Sequence, residues 1–159
     1  MEIRLAENSD LSGWVRLVEP MRHLFPGLET PESMEGYARD IAGAISRQEA
    51  LCAVENGTIC GVLAFSRAEN ELAFLAVSAQ HRRQGIARKL AERMFRELDP
   101  ARPVKLITYR AGVPEGEAAR SLYQRLGFCP GRLVEVDGSP AQEFLRPAEI
   151  PASERSEAE

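Results

Sequence analysis

No triple-glycine dinucleotide fingerprint follows any strand of this chain, and no glycine loop ends in Gly-Lys-Ser or Gly-Lys-Thr. Those absences remove the two commonest devices for gripping a nucleotide. Positive charge is also short: 20 Lys and Arg stand against 24 Asp and Glu, for a net charge of −4. Nucleic-acid binding wants a broadly basic face to neutralise phosphates, so that class of partner is not expected. The three cysteines, Cys52, Cys60 and Cys129, are odd in number and show no metal-ligand spacing. They read as reduced structural residues, and no metal is expected. No apolar run approaches the roughly 20 residues of a membrane span, and Met1-Glu2-Ile3-Arg4 has no signal-peptide core, so the expectation is a cytoplasmic protein without a membrane partner. Repeats and internal linkers are missing too. The expected organisation is one domain over residues 1–146 and a poorly ordered tail over 147–159, where four glutamates face one arginine.

What is present is a chain of 159 residues with 44% hydrophobic content, enough for a proper core. Its most informative stretch runs from Leu72 to Leu90. An apolar segment, Leu72-Ala73-Phe74-Leu75-Ala76-Val77, leads through His81-Arg82-Arg83-Gln84-Gly85-Ile86-Ala87 into an amphipathic helix. Strand, basic loop and helix in that order make a phosphate-binding device. Gly85 lets the backbone approach a ligand, and the first helical amides have no partners within the helix. Five basic side chains between His81 and Lys89, in an acidic chain, suit a small polyanion better than a polymer.

Apolar spacing and turn residues supply the remaining elements. Glu2 to Ala6 alternates as a strand. Asn8, Ser9 or Asp10 caps a helix through Leu11, Trp14, Val15 and Val18, which Pro20 interrupts, and an apolar loop covers 22–28. Thr30 and Pro31 open a second helix running to about Arg47. Ala50 to Glu55 and Thr58 to Ser66 flank Asn56-Gly57, a strong hairpin signal, and a turn at Glu69-Asn70 precedes the strand ending at Val77. The helix after the basic loop buries Ile86, Leu90, Met94 and Leu98 and stops at Asp99-Pro100. A strand from Val104 to Tyr109, a glycine-containing loop at 111–116, a helix with Ala118, Leu122 and Leu126 at four-residue spacing, and a hairpin of Leu133 to Val136 and Gln142 to Leu145 complete the order β-α-α-β-β-β-α-β-α-β-β. Gly127 stands where a left-handed helix cap is wanted, with Phe128 where the capping contact falls.

Two motifs in this order carry a resemblance. Arg82-x-x-Gly85-x-Ala87 after a strand resembles the acetyl-CoA signature Arg/Gln-x-x-Gly-x-Gly/Ala of the GNAT family of N-acetyltransferases. Ala119-x-x-Leu122-Tyr123-x-x-x-Gly127-Phe128 resembles the family's C-terminal motif, Ala-x-x-Leu-Tyr-x-x-x-Gly-Phe. The fold implied is a mixed α/β one, with a central mixed sheet of about seven strands flanked by about four helices. In that fold the fourth and fifth strands splay, the thioester enters the gap, and a backbone amide near Val77 holds the acetyl carbonyl. By the same resemblance Ala76, Val77, Arg82, Arg83, Gln84, Gly85, Ile86, Ala87, Arg88 and Tyr123 would hold acetyl-CoA.

The chemistry implied is direct acetyl transfer to an amine. A lysine-type amine has a pKa of about 10.4 and must lose a proton before it attacks. Glu71, six residues before Val77, resembles the catalytic glutamate of histone-type members and is the candidate base, with a water relay as the alternative. Tyr123 is the candidate acid for the departing thiolate, whose thiol pKa of about 8.5 makes that help modest. Many members carry an asparagine three residues before the second motif's first alanine; Gly116 stands there. The resemblance places the acceptor site on the first two helices and the last hairpin, here including Trp14, Phe25 and Tyr37, with His23, Glu135 and Asp137 in the same segments. His81 is expected beside phosphate rather than in catalysis. The acceptor amine stays open among peptide N-termini, lysines, polyamines, aminoglycosides and small metabolites. Two other functions stay open as well, a non-catalytic acyl-CoA sensor and an acyltransferase for a longer acyl group, and so does a homodimer through the final strands.

Overall fold

A computed structural model describes residues 1–149. Seven strands form one mixed sheet and four α-helices accompany it. The strands are β1 (Glu2–Leu5), β2 (Ala50–Glu55), β3 (Thr58–Ser66), β4 (Glu71–Val77), β5 (Val104–Thr108), β6 (Cys129–Val136) and β7 (Ser139–Arg146). The helices are α1 (Leu11–Val18), α2 (Pro31–Ser46), α3 (Ile86–Glu97) and α4 (Glu117–Arg125). Strand order across the sheet is β1-β2-β3-β4-β5-β7-β6; β1 with β2, β2 with β3, β5 with β7 and β6 with β7 are antiparallel, and β5 runs parallel to β4. That parallel pairing holds one registered pair, Glu71 opposite Lys105. The chain divides into two compact units, Met1–Phe65 with Ala73–Met94, and Ser66–Leu72 with Phe95 onward.

In the first unit, α1 and α2 bury their apolar faces on the sheet. Trp14, Val18, Ile41 and Ile45 pack with Cys52, Val62 and Ala76, all at most 5% exposed. Thr30 caps α2 reciprocally: its hydroxyl accepts from the Ser33 amide at 3.1 Å, and the Ser33 hydroxyl accepts from the Thr30 amide at 3.1 Å. This serves the N-terminal orphan amides as a capping box does. Pro20 ends α1 as expected, but the chain continues as 3-10 helix through Glu19–Leu24 where a loop was expected. Proline at its start costs no hydrogen bond there, because the first amides of a helix have no acceptor. Before α1, Asp10 accepts two bonds from Arg4, at 2.7 and 3.0 Å, and one from the Glu7 amide at 2.7 Å. The hairpin of β2 and β3 turns at Asn56 and Gly57, both at positive φ.

In the second unit, Tyr123 and Phe144 meet edge-on at 6.4 Å, and Phe128 joins them at 6.1 Å from Tyr123. The helix carrying Tyr123 ends in a full Schellman arrangement. The Phe128 amide reaches back to the Tyr123 carbonyl at 3.0 Å, the Gly127 amide to Gln124 at 3.1 Å, and Gly127 is left-handed at φ +96°. The buried stripe of α4 differs from the sequence expectation. Ala118 is exposed and Leu122 half-buried, while Tyr123 and Leu126 face the core. Ala119, Tyr123 and Leu126 recur at i, i+4 and i+7, so the true stripe lies one residue round the helix from the expected one. The last hairpin is also longer than expected, because its turn is only Asp137-Gly138, with Ser139 and Pro140 already in β7. Pro140 sits beyond the part of β7 that pairs with β5, which begins at Gln142, so its missing N–H breaks no ladder bond there. The acidic tail expected over 147–159 falls mostly outside the described residues. Within them, the Glu149 amide bonds the Pro100 carbonyl at 2.9 Å and its carboxylate pairs with Arg146 at 3.0 Å.

Candidate functional site

The basic loop lies in the first unit. Val77 ends β4, and the Ser78 amide bonds the Cys60 carbonyl of β3 at 2.9 Å, which fixes the point where the chain leaves the sheet. A single 3-10 turn, Ala79–His81, comes next, and the His81 ring lies 2.6 Å by Nδ1 from the Ser78 hydroxyl. Arg83 then adopts φ +64° and Gly85 φ +75°, and the Gly85 carbonyl accepts the first bond of α3 from Lys89 at 3.0 Å. Left-handed residues on either side of Gln84 are the backbone conformation from which anion-binding concavities of amides are built. Ile86 anchors the loop from beneath at 2% exposed, while Arg82, Arg83, Gln84, Gly85 and Arg88 are exposed and Ala87 is half-buried. Among the described residues, none of Arg82, Arg83, Arg88 and Lys89 is ion-paired. Four cations without an ion pair among the described residues, beside the start of a helix, match the chemistry of a pyrophosphate, while Ala76, 5% exposed, packs in the core with residues of α1 and α2.

Trp14, Phe25 and Tyr37, the expected acceptor residues, are in the same unit but do not stand equal. Trp14 is wholly buried and gives its indole N–H to the Tyr37 hydroxyl at 2.8 Å, so it offers an acceptor no surface and instead holds Tyr37. Burial pushes the Tyr37 phenol well above its usual range. Tyr37 and Phe25 both pack on Phe74 of β4, with ring centroids at 5.1 and 4.5 Å. Phe74 was not singled out from the sequence. Its signal was there, since Leu72, Phe74 and Ala76 share one face of an alternating strand.

Glu71 and Tyr123 lie in the second unit. Glu71 is half-buried at the start of β4, with Lys105 Nζ at 3.7 Å; the same ammonium stands 3.7 Å from Glu69. Burial pushes the Glu71 carboxyl above its ordinary value, the Lys105 charge draws it down, and Glu69 and Glu143 add to the rise. Its neighbour Asn70, in the expected turn, is 1% exposed with φ +50°. The Asn70 amide nitrogen donates towards the carbonyls of Asp99, Arg102 and Pro103 at 3.1 to 3.3 Å, and its oxygen accepts from the Asp99 amide at 2.9 Å. The turn is therefore clamped to the segment entering β5, which no local pattern in the sequence could announce.

The Tyr123 ring is buried, and burial pushes its phenol up to about 12. Its hydroxyl makes no hydrogen bond among the described residues, where no fully buried side-chain polar atom lacks a partner. Gly116 caps the start of α4, and Tyr109 explains it: a Cβ at position 116 would run into the Tyr109 side chain. An asparagine there is excluded by sterics. Among the described residues, no group of three or more His, Cys, Asp or Glu is placed to hold a metal ion, and no helix is long and apolar enough to cross a membrane.

Comparison with known proteins matches this arrangement of elements. Among curated protein sequences nothing matches. Among solved structures, an N-acetyltransferase from Staphylococcus aureus is similar with a TM-score of 0.73 at 16% identity, covering 91% of this chain and 100% of that one. The PaiA N-acetyltransferase of Thermoplasma acidophilum, solved in complex with coenzyme A, is similar at TM-score 0.67 and 21% identity, over 92% of this chain and 98% of that one. The ribosomal-protein-S18-alanine N-acetyltransferase of Escherichia coli is similar at TM-score 0.67 and 21% identity, over 95% and 96%. At these identities the likeness is one of fold. The model of the acetyltransferase (GNAT) domain matches residues 46–130, more than half of the chain, and includes the basic loop, Glu71 and Tyr123. The chain belongs to the GNAT acetyltransferase family.

Proposed function

We propose that this protein moves the acetyl group of acetyl-CoA directly to a primary amine. The observation that carries the reading is the loop before α3, where left-handed Arg83 and Gly85 stand among four cations that make no ion pair among the described residues. The pyrophosphate is assigned to Arg82 through Arg88, where helix-terminal amides and unpaired positive charge both favour an anion. Acetyl-CoA supplies an activated acyl carbon. The Val77 amide is assigned to the acetyl carbonyl, where it would bear on developing negative charge.

Glu71 is assigned the proton of the incoming ammonium. A carboxyl raised by burial is the better acceptor at neutral pH, because its basicity lies nearer the working range. Nitrogen then bonds the acyl carbon, the carbon–sulfur bond breaks with its electron pair leaving on sulfur, and the second proton that nitrogen sheds as the amide forms replaces the one that Tyr123 gives up. Tyr123 is assigned the proton that the departing thiolate takes. A phenol near 12 stays protonated at neutral pH and is available to give. Tyr37, Phe25 and Phe74 are assigned to the acceptor, as an aromatic surface able to take the apolar part or the charge of an amine.

Thermal unfolding with and without acetyl-CoA, joined to thiol release over a panel of amines, tests the reading. Ligand at about a hundred times its Kd adds about 2.7 kcal/mol to the folded state. For a chain of this length that is roughly 5 to 11 °C in Tm. Stabilisation together with amine-dependent thiol release supports the transferase. Stabilisation without release on any amine points to a sensor, and no stabilisation overturns the assignment of the loop.

A further inference from the structure

Lys105 stands directly opposite Glu71 across the parallel pair of β4 and β5. Its significance rests on the assignment of Glu71 as the base. The backbone reinforces that placement, because the Lys105 amide donates to the Asn70 carbonyl at 3.1 Å while the buried Asn70 side chain grips the residues just before β5. The ammonium is thus delivered to Glu71 by main-chain geometry rather than by a flexible surface encounter. It lies 3.7 Å from both Glu71 and Glu69, and the Glu71 and Lys105 side chains are only 22% and 31% exposed.

The groups around Glu71 decide what Lys105 can do. Glu69 comes from the turn before β4, and Glu143 from β7, where Arg132 of β6 pairs with it at 3.5 Å. Without the ammonium, Glu71 would face the like charges of Glu69 and Glu143 in a half-buried setting. Such a carboxylate lowers its energy by turning away or by keeping its proton. Either response removes a base. We propose that Lys105 is the positioning residue for Glu71, its ammonium holding that carboxylate ionised and in place to take a proton from the acceptor amine. Lys105 itself touches no reacting atom.

The test is a carbon-13 NMR titration of glutamate side-chain carboxyls in the full-length protein, with the Glu71 signal identified by its loss in Glu71→Gln. In Lys105→Met the Glu71 midpoint should rise, since one opposite charge is removed while Glu69 and Glu143 stay. Lys105→Arg should keep the wild-type midpoint, and Glu69→Gln should lower it. The acid limb of kcat/KM, read by thiol release with an amine accepted in the panel, should move with the NMR midpoint. A role in folding alone would lower Tm in Lys105→Met and leave the limb where it was. If Lys105→Met does not fold, the Lys105→Arg and Glu69→Gln titrations carry the same test, and an unmoved midpoint in Glu69→Gln refutes the shared-cation geometry. An unmoved midpoint in folded Lys105→Met, with Glu71→Gln inactive, overturns the role of Lys105 alone. Full activity in Glu71→Gln removes Glu71 as base, and the role of Lys105 goes with it.

Discussion

Gly85→Asp separates the assigned role of the basic loop from its fold. A Cβ at Gly85 meets no heavy atom within 4 Å, so the substitution causes no collision. It does force a side chain into φ +75°, which costs about 1 kcal/mol, somewhat less for Asp or Asn because both visit that region. In a chain of this size that cost is roughly 2 to 4 °C of Tm. The charge acts on binding instead. A carboxylate about 4 Å from a phosphate charge is repelled by about 1 kcal/mol in a water-like medium and about 4 kcal/mol at an effective dielectric constant of about 20. Those limits span roughly a fivefold to a thousandfold loss in affinity. Gly85→Asn carries the same strain and bulk without the charge and serves as the control. Isothermal titration with acetyl-CoA on wild type and both variants reads the difference. The reasoning fails if Asp and Asn bind alike, because then charge at the loop is irrelevant. It fails more completely if Gly85→Asp binds as the wild type does, because then the pyrophosphate lies elsewhere.

Tyr123→Phe removes a hydroxyl that makes no hydrogen bond among the described residues, so Tm should hold within about a degree or rise while kcat falls about tenfold in a thiol-release assay; a loss of Tm with unchanged kcat would assign the tyrosine to packing. Asn70→Ala deletes the clamp of a fully buried amide and should cost about 2 to 4 kcal/mol in urea unfolding, far more than an exposed turn residue would. Arg4 holds the Asp10 carboxyl below its ordinary 3.8, so the folded state binds fewer protons there than the unfolded one. The pair's stabilisation is therefore present above about pH 4 and lost as pH falls through the folded-state value, and Asp10→Asn should flatten that part of the Tm profile. Glu71 has the opposite sign: its raised carboxyl makes ionisation cost stability as pH rises above 4.5, so Glu71→Gln should match or exceed wild-type Tm at neutral pH. Burial pushes the Cys52 thiol up to about 11 and leaves Cys129 exposed, so iodoacetamide at pH 8 should label Cys129 in the native protein and Cys52 only after unfolding, as mass spectrometry of the peptides would report.

Local chemistry was legible in the sequence wherever it decides structure within a few residues. Asn56-Gly57 specified a two-residue hairpin because both positions accept positive φ, Thr30-Pro31 specified a helix start, and Gly127-Phe128 specified a Schellman cap. The order of elements came from these signals, and the paired motifs at Arg82 and Tyr123 led to the GNAT family. Burial was less legible. Ala118, Leu122 and Leu126 made an apolar stripe as good on paper as Ala119, Tyr123 and Leu126, and only the aromatic core of Phe128 and Phe144 chose the second. Trp14 read as a binding residue because aromatic side chains serve both cores and ligands, and its complete burial could come only from packing. The environment of Glu71 was the least legible feature. Its partner Lys105 is 34 residues away in the chain, and its neighbour Asn70 looks like any turn asparagine until the carbonyls of Asp99, Arg102 and Pro103 close on it. Which groups can accept, donate and carry charge follows from residue identity, because that is a property of each side chain. Tertiary structure alone decided which are buried, which are paired and how strongly each holds its proton, because those depend on the solvent and charges that a fold brings near.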